Sequence, residues 1–217
     1  MLSSSKNLIH ERSNGGSQRL KSVVWELLLL LGSSVLFALS FPGFISIWGW
    51  FPLAFFSVFP VFIVIHRSGW LKVFLYGILY GYVTYALFNY WASTFHPLAI
   101  IILPSVYAVY FFMVFPVLKL ADILMPKYGY LLQLLIWISY EYLRTTGFLG
   151  YPYGILGYSQ YLFTPLIQIA DFAGVWGVSY LVVFPSIYIG HALKQGAAGF
   201  RAFIGAVSYT HLRAHET

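Results

Sequence analysis

The sequence, 217 residues long, contains no cysteine. A chain without cysteine forms no disulfide bond, offers no thiolate to a metal ion and has no thiol for nucleophilic catalysis. Its few carboxylates show no metal-ligand spacing, and no glycine-rich phosphate loop follows a strand. The sequence therefore predicts no metal site and no cofactor.

Charged residues are also scarce. They make up 8% of the chain against 60% for hydrophobic residues, whereas an ordinary soluble domain carries about 25% charged residues. So few charges cannot cover the surface of a soluble fold, and so much apolar surface excludes intrinsic disorder. The formal net charge of +6 comes from short basic clusters between apolar runs, which is typical of a multi-pass membrane protein and does not indicate a nucleic-acid partner.

The sequence has long apolar runs instead. Their lengths suit a bilayer core of about 30 Å, so we predict an all-α membrane protein, a polytopic bundle with six complete spans and the start of a seventh. The third span contains Gly77 and Gly81, a G-x-x-x-G pair that would let another helix approach closely. The predicted transmembrane domain covers residues 23–206, with spans at 23–40, 47–65, 73–91, 98–118, 128–143 and 172–189 and a seventh from about residue 200.

The two ends of the chain are polar. Residues 1–22 lack the cleavage site of a secretory signal and are interpreted as a cytoplasmic tail. Residues 207–217, VSYTHLRAHET, resemble a translated sequencing adapter, so we expect a non-native tail there and a natural protein that continues beyond Ala206. A genuine polar tail is the alternative. On the first interpretation, His211 and His215 are not metal-ligand candidates.

The loop charges predict the orientation of the bundle. Every basic residue before position 207, except Arg144, lies in the N-terminal tail or in loops on the same side of the membrane. The positive-inside rule therefore places the N-terminus in the cytoplasm. These residues are Lys6, Arg12, Arg19, Lys21, Arg67, Lys72, Lys119, Lys127, Lys194 and Arg201.

The region between the fifth and sixth spans combines two opposing properties. Residues 147–165, GFLGYPYGILGYSQYLFTP, are rich in glycine and proline, which oppose a continuous helix, yet carry no charge. A re-entrant or interfacial segment over about residues 144–171 on the outer face fits both facts. It is either a lipid-facing substrate site or an aromatic belt that anchors two helix ends.

An ordered block of short motifs runs through this region. It comprises Trp137, Glu141 and Arg144, then Pro152-Tyr153, then Gly157-Tyr158-Ser159-Gln160, then PLIQ at 165–168 and GVWGVS at 174–179. The block resembles the membrane part of the apolipoprotein N-acyltransferase family, as do Phe41-Pro42 and Tyr90-Trp91. The resemblance covers about residues 20–206. It departs from the family at Tyr153, where tryptophan is usual.

The resemblance implies the last step of lipoprotein maturation in the bacterial inner membrane. In that family a periplasmic nitrilase-like domain with a Glu-Lys-Cys triad follows the seventh helix. Its cysteine takes an acyl chain from a phospholipid, the donor. It then passes the chain to the N-terminal diacylglyceryl-cysteine of an apolipoprotein, the acceptor. Covalent catalysis thus splits one acyl exchange into two steps. Because this chain has no cysteine, we expect it to contain no catalytic residue and to be inactive alone.

We expect the motif block to bind substrate. The only cation expected on the outer face is Arg144, which either meets a phospholipid phosphate or forms an ion pair with Glu141, three residues earlier, or with Asp171. The expected substrate-binding residues are Trp137, Glu141, Arg144, Tyr153, Tyr158 and Gln160.

Two other functions remain open at this point, a multi-pass transporter and a membrane anchor for a partner domain. Transporters use ionisable side chains at mid-depth, and the predicted spans contain almost none. A hydrolase site is not indicated either, because His96 has no triad spacing to Ser93 or Ser159.

Overall fold

This computed structural model describes residues 2–147 and 150–196, with side chains from residue 16 onward. All regular secondary structure within those residues is helical, so the predicted all-α class is confirmed there. The predicted seventh span and the tail at 207–217 lie outside the described residues.

Eight α-helices and three short 3₁₀ helices make up the described chain. The 3₁₀ helices are Phe51–Leu53, Tyr90–Thr94 and Leu156–Gln160. The α-helices are α1 (Leu2–Leu39), α2 (Ala54–Ser57), α3 (Phe59–Arg67), α4 (Trp70–Phe88), α5 (Ala99–Leu124), α6 (Gly129–Leu143), α7 (Thr164–Ile167) and α8 (Ala170–Lys194).

Four helices in the described residues are long and apolar enough to cross a bilayer. They are Gly16–Leu39 within α1, α4, α5 and α8. The other two predicted spans are shorter, so the count of six is not confirmed by helix length. At 1.5 Å per residue, the 15 residues of α6 reach only about 22 Å. The 51–67 region is split into three pieces, and Pro60 in the first turn of α3 has no N–H to continue α2.

The helices run back and forth between two ends of the bundle. One end, here called the Arg144 end, carries the loops at 40–50 and 89–98 and the segment that follows α6. The other, the Asp122 end, carries the loops at 68–69 and 125–128 and the C-terminus of α8. Hydrogen bonds join the pieces of each end, such as the one from Gln160 Nε2 to the Phe51 carbonyl, 3.0 Å long.

The closest helix pair is α4 and α5. A Cβ built on Gly77 would overlap the carbonyl oxygen of Phe111, and one built on Gly81 would overlap that of Tyr107. The close approach predicted from the G-x-x-x-G pair is therefore present, because only a hydrogen fits at both positions.

Aromatic side chains fill the centre of the bundle between α3, α4, α5 and α6. Phe111 packs edge-on against Tyr80, with ring centroids 5.1 Å apart, and lies 5.9 Å from Trp137. Trp137 in turn lies 6.0 Å from Phe62 on α3. This core fixes α6 between α3 and α5, and so fixes the position of the residues at the end of α6.

Candidate functional site: a buried arginine beneath the connecting segment

Arg144, the residue directly after α6, holds the segment that follows it. The side chain is 3% exposed. Its Nη1 donates hydrogen bonds to the carbonyl oxygens of Tyr151 (3.2 Å) and Tyr153 (2.8 Å) and to the Tyr107 hydroxyl (2.8 Å). Carbonyl oxygens that have no hydrogen bond within a helix thus accept one from a charged donor. Such bonds make non-helical backbone tolerable at membrane depth.

Three tyrosine rings surround the guanidinium. Its central carbon lies 5.6 Å from the ring centroids of Tyr85 and Tyr140 and 5.5 Å from that of Tyr107. The Tyr85 and Tyr107 rings stack face to face, with centroids 3.3 Å apart, so the guanidinium lies beside the edges of this pair and over neither face. The tyrosine box is defined here as these three residues, and the hydrogen bond to the Tyr107 hydroxyl offsets part of the cost of burying the charge.

Glu141 is fixed in a different direction from Arg144. It is 1% exposed, and its Oε1 accepts a hydrogen bond from the Leu156 N–H at 3.0 Å. The side chains of Trp137 and Ser179 lie beside the same carboxylate, and Ser179 Oγ accepts the N–H of Gly157 at 2.9 Å. Glu141 therefore ties the Leu156–Gln160 helix to α6, and Ser179 ties it to α8.

The ion pair expected between Glu141 and Arg144 is absent from the described residues. The ion pairs there involve Glu26 and Asp122, and Asp171 is exposed without one. Arg144 lies past the last helical residue and turns towards α5, whereas Glu141 turns towards α8. Each charge binds a different part of the connecting segment, defined here as residues 150–169.

Gln160 and Tyr151 hold the rest of the connecting segment. Gln160 is completely buried and donates from Nε2 to the Ser159 hydroxyl (2.8 Å) as well as to the Phe51 carbonyl. The Tyr151 hydroxyl donates to Asn89 Oδ1 at 3.0 Å. Burial raises the pKa of the Tyr151 phenol to about 12, so it stays protonated and able to donate at neutral pH.

The six residues predicted to bind substrate therefore separate into two groups. Four of them, Trp137, Glu141, Arg144 and Gln160, are buried. Glu141 and Arg144 hold the connecting segment from α6, Gln160 holds it from within, and Trp137 lies in the core beside Glu141. Tyr153 and Tyr158 are 54% and 49% exposed and lie on its surface. Only these two are free to touch a bound molecule without a rearrangement.

An apolar groove between α5 and α6 leads to this site. Its volume is about 550 Å³, and Arg144 and Tyr140 lie among the residues at its polar end. Met113, Val117 and Leu135 line its length. Such a groove accepts an extended hydrocarbon chain by removing apolar surface from water or from competing lipid.

Exposed aromatic side chains crowd the Arg144 end, both in its loops and in the first turn of α8. Phe44, Phe95 and Phe172 are 78%, 81% and 97% exposed. Rings so exposed are unfavourable in bulk water, and aromatic residues are enriched where a helix end meets the bilayer surface. The Arg144 end thus has the composition of a membrane interface.

A family model described as the apolipoprotein N-acyltransferase N-terminal domain matches residues 33–188. The chain belongs to the apolipoprotein N-acyltransferase family. The resemblance inferred from the motif block is thereby confirmed, and the matched region contains every helix of the site apart from the last turns of α8.

Named relatives agree with this assignment. Apolipoprotein N-acyltransferase 1 of Treponema denticola is 41% identical over 158 residues, covering 73% of this chain and 29% of the relative. The protein of the same name from Treponema pallidum is 37% identical over 195 residues, covering 88% and 36%. The Geobacter metallireducens apolipoprotein N-acyltransferase is 32% identical over 185 residues, covering 79% and 34%. No solved structure matches the chain.

The chain spans about a third of the length of these relatives. Family membership and four apolar helices together indicate a membrane protein of an acyltransferase family. The part of the family described by the structure is an N-terminal helical domain whose polar side chains fix a connecting segment. No group of three or more metal-ligating side chains occurs among the residues described.

Sequence reasoning missed the tyrosine box and Asn89. Tyr85, Tyr107 and Tyr140 lie on three different helices, and nothing in the local sequence distinguishes them from the other tyrosines of the chain. Ser179 could have been found, because it ends the GVWGVS motif of the family block.

Proposed function

We propose that this chain forms the membrane part of a phospholipid:apolipoprotein N-acyltransferase, which transfers an acyl chain from a phospholipid to the N-terminal diacylglyceryl-cysteine of lipoproteins. Its role is to bring the lipid substrates to the membrane surface at the Arg144 end. The nucleophile comes from the part of the family's longer members that has no counterpart here, because acyl transfer through a covalent enzyme intermediate needs an activated nucleophile and this chain has no cysteine.

The observation that carries the proposal is the fixed, uncharged connecting segment above Arg144. Arg144 binds residues 151 and 153, and Glu141 binds residue 156. Two buried charges hold in place a backbone that would otherwise be free to move. A rigid, tyrosine-rich surface at the bilayer interface is suited to positioning a lipid ester near a reacting group, and positioning is itself a large contribution to rate.

The substrate-binding residues take different roles under this proposal. Tyr153 and Tyr158 contact the lipid substrates, because they are exposed. Glu141, Arg144 and Gln160 are positioning residues, because each is buried and binds the protein through one of its polar atoms. Trp137 is a positioning residue because it is buried in the aromatic core that fixes α6. The donor's acyl chain occupies the apolar groove between α5 and α6, whose polar end lies at Arg144.

The proposed setting is the bacterial inner membrane, with the N-terminus in the cytoplasm and the Arg144 end outside. Six crossings are proposed despite the short α6 and the broken 51–67 region, since successive helices alternate between the two ends. Residues 1–22 form the cytoplasmic tail and residues 207–217 a non-native tail. The bias of Lys and Arg towards the Asp122 end supports this orientation.

Complementation tests the proposal directly. In cells depleted of their own apolipoprotein N-acyltransferase, a chimera is expected to restore growth and triacylated lipoprotein. It joins residues 1–206 of this chain to the part of the Treponema denticola relative that follows its matched region. The 217-residue chain alone is expected to insert into the membrane and restore neither. Rescue by the chain alone would place the chemistry within it and contradict the proposal.

A chimera that inserts but yields no triacylated lipoprotein would favour a different function for the helical part. An anchor for an unrelated partner domain would give that result.

A further inference from the structure

A second polar cluster lies at the Asp122 end, opposite the candidate site. Asp122 on α5 contacts His66 of α3, with 2.9 Å between Nδ1 and Oδ2, and Lys194 of α8, with 2.6 Å between Nζ and Oδ1. The Asp122 and His66 side chains are each 5% exposed. One carboxylate therefore ties together the ends of three helices.

The cluster contains more positive than negative charge. Lys119 of α5 lies close enough to interact with both Asp122 and Lys194, and its Nζ donates to the Ile65 carbonyl at 3.0 Å. Arg67 ends α3 and is exposed. Two lysines thus lie near a single carboxylate, and Arg67, the residue after His66, makes no ion pair within the described residues.

A hollow of about 290 Å³ opens between α3 and α8 beside this cluster. Its walls are polar on one side and apolar on the other. The polar wall comprises His66, Arg67 and Lys194, and the apolar wall comprises Ile63, Gly190 and Leu193. His66 Nε2 is buried and has no hydrogen-bond partner among the described residues. Leaving a buried ring nitrogen without a hydrogen-bond partner costs free energy. His66 lies on the wall of the hollow, which is large enough to hold a partner for this nitrogen.

We propose that this hollow binds the phosphate group of an anionic phospholipid. The guanidinium of Arg67 and the ammonium of Lys194 supply donors on one side. Because His66 Nδ1–H faces the Asp122 carboxylate, its Nε2 donates to a phosphate oxygen when the ring is the imidazolium. Arginine favours phosphate because its planar fork matches two oxygens. Basic pockets between transmembrane helices recur as headgroup sites in membrane proteins.

The surroundings favour a lipid over free phosphate as the occupant. Leu193 is 45% exposed, and the hollow lies at the end of α8, a helix long and apolar enough to cross the bilayer. A lipid bound there by its headgroup would lay its acyl chains along the apolar flank of α8. The excess of cations selects an anionic headgroup over a zwitterionic one.

Native mass spectrometry of the purified chain, released from nanodiscs that contain equal amounts of phosphatidylglycerol and phosphatidylethanolamine, tests the proposal. Retained phosphatidylglycerol is expected to exceed retained phosphatidylethanolamine. Arg67→Gln is expected to lower the phosphatidylglycerol-bound fraction about fivefold, since one cation near an anionic lipid is worth about 1 kcal/mol. Arg19→Gln, which removes an exposed cation outside the hollow, is the matched control and is expected to change nothing.

Three results would overturn the proposal. They are equal retention of the two lipids, equal loss in both variants, and full displacement of phosphatidylglycerol by millimolar inorganic phosphate, which would assign the hollow to a free anion. Thermal unfolding of Arg67→Gln should match that of the parent chain, because Arg67 is exposed and makes no ion pair within the described residues. The test measures lipid retention and not acyl transfer, so its failure leaves the proposed function untouched.

Discussion

At the scale of single residues, burial changes what a motif residue does. Arg144 was expected either to pair with Glu141 or Asp171 or to meet a phospholipid phosphate. Arg144 and Glu141 do not pair: they lie on opposite sides of the helix end, and each binds backbone atoms of the connecting segment. The sequence could identify these residues, because they belong to an ordered block, but it could not identify their partners. The contacts join positions up to 37 residues apart, as between Arg144 and Tyr107.

Arg144→Ala is expected to release the connecting segment. The change removes one charged donor from two backbone carbonyls and a tyrosine hydroxyl, and a hydrogen bond to a charged group is worth about 1.5–3 kcal/mol. Limited proteolysis in detergent should therefore cleave residues 150–163 much faster than in the parent chain. Arg144→Lys keeps the charge on a shorter side chain that ends before the position of Nη1, so its cleavage rate is expected to lie between the two. A rate for Arg144→Ala equal to that of Arg19→Gln would show that Arg144 does not hold the segment.

At the scale of helices, apolar length predicted where the helices lie, and proline and glycine decided how they are broken. The observed bounds of α4 and α6 fall within a few residues of the predicted spans at 73–91 and 128–143. The division of the 51–67 region was missed although Pro60 is visible in the sequence. Gly174 interrupts α8 after its first turn with φ of 62° and ψ of −171°, a conformation open essentially to glycine alone. No hydrophobic pattern predicts that break.

Gly81→Ala is expected to destabilise the pairing of α4 and α5. An added Cβ would overlap the Tyr107 carbonyl oxygen, and overpacking of this kind costs about 1–3 kcal/mol. Thermal unfolding in detergent should show a clear loss of stability. The matched control is Gly32→Ala in α1, where an added Cβ meets nothing within 4 Å. Equal unfolding temperatures for the two variants would mean that the close approach is not needed.

At the scale of the whole molecule, the bundle has two chemically different ends. The Arg144 end is aromatic and nearly uncharged, whereas the Asp122 end collects the basic residues. Composition was enough to predict this asymmetry, because loop charges are read directly from the sequence. It was not enough to predict which polar groups meet at each end, since those contacts depend on how α3, α5, α6 and α8 pack.

The orientation of the two ends can be measured by cysteine labelling, since the chain has no native cysteine. Ser93 and Thr146 are exposed at the Arg144 end, and Lys127 is exposed at the other. Ser93→Cys and Thr146→Cys should react with an impermeant maleimide added outside intact cells, and Lys127→Cys only after permeabilisation. The reverse pattern would put the Arg144 end in the cytoplasm and contradict the proposed topology.

The central claim is that the connecting segment takes part in acyl transfer and is more than an aromatic anchor. The most direct test is the initial rate of lipoprotein triacylation, measured by mass spectrometry of the lipoprotein N-terminus with the chimera described above. Tyr153→Ala should lower that rate about tenfold at unchanged protein level, a loss of about 1.4 kcal/mol of transition-state stabilisation. Phe95→Ala removes another exposed ring of the same end and should leave the rate unchanged. If both variants lose activity only in proportion to lost protein, the segment is an anchor and the account is wrong.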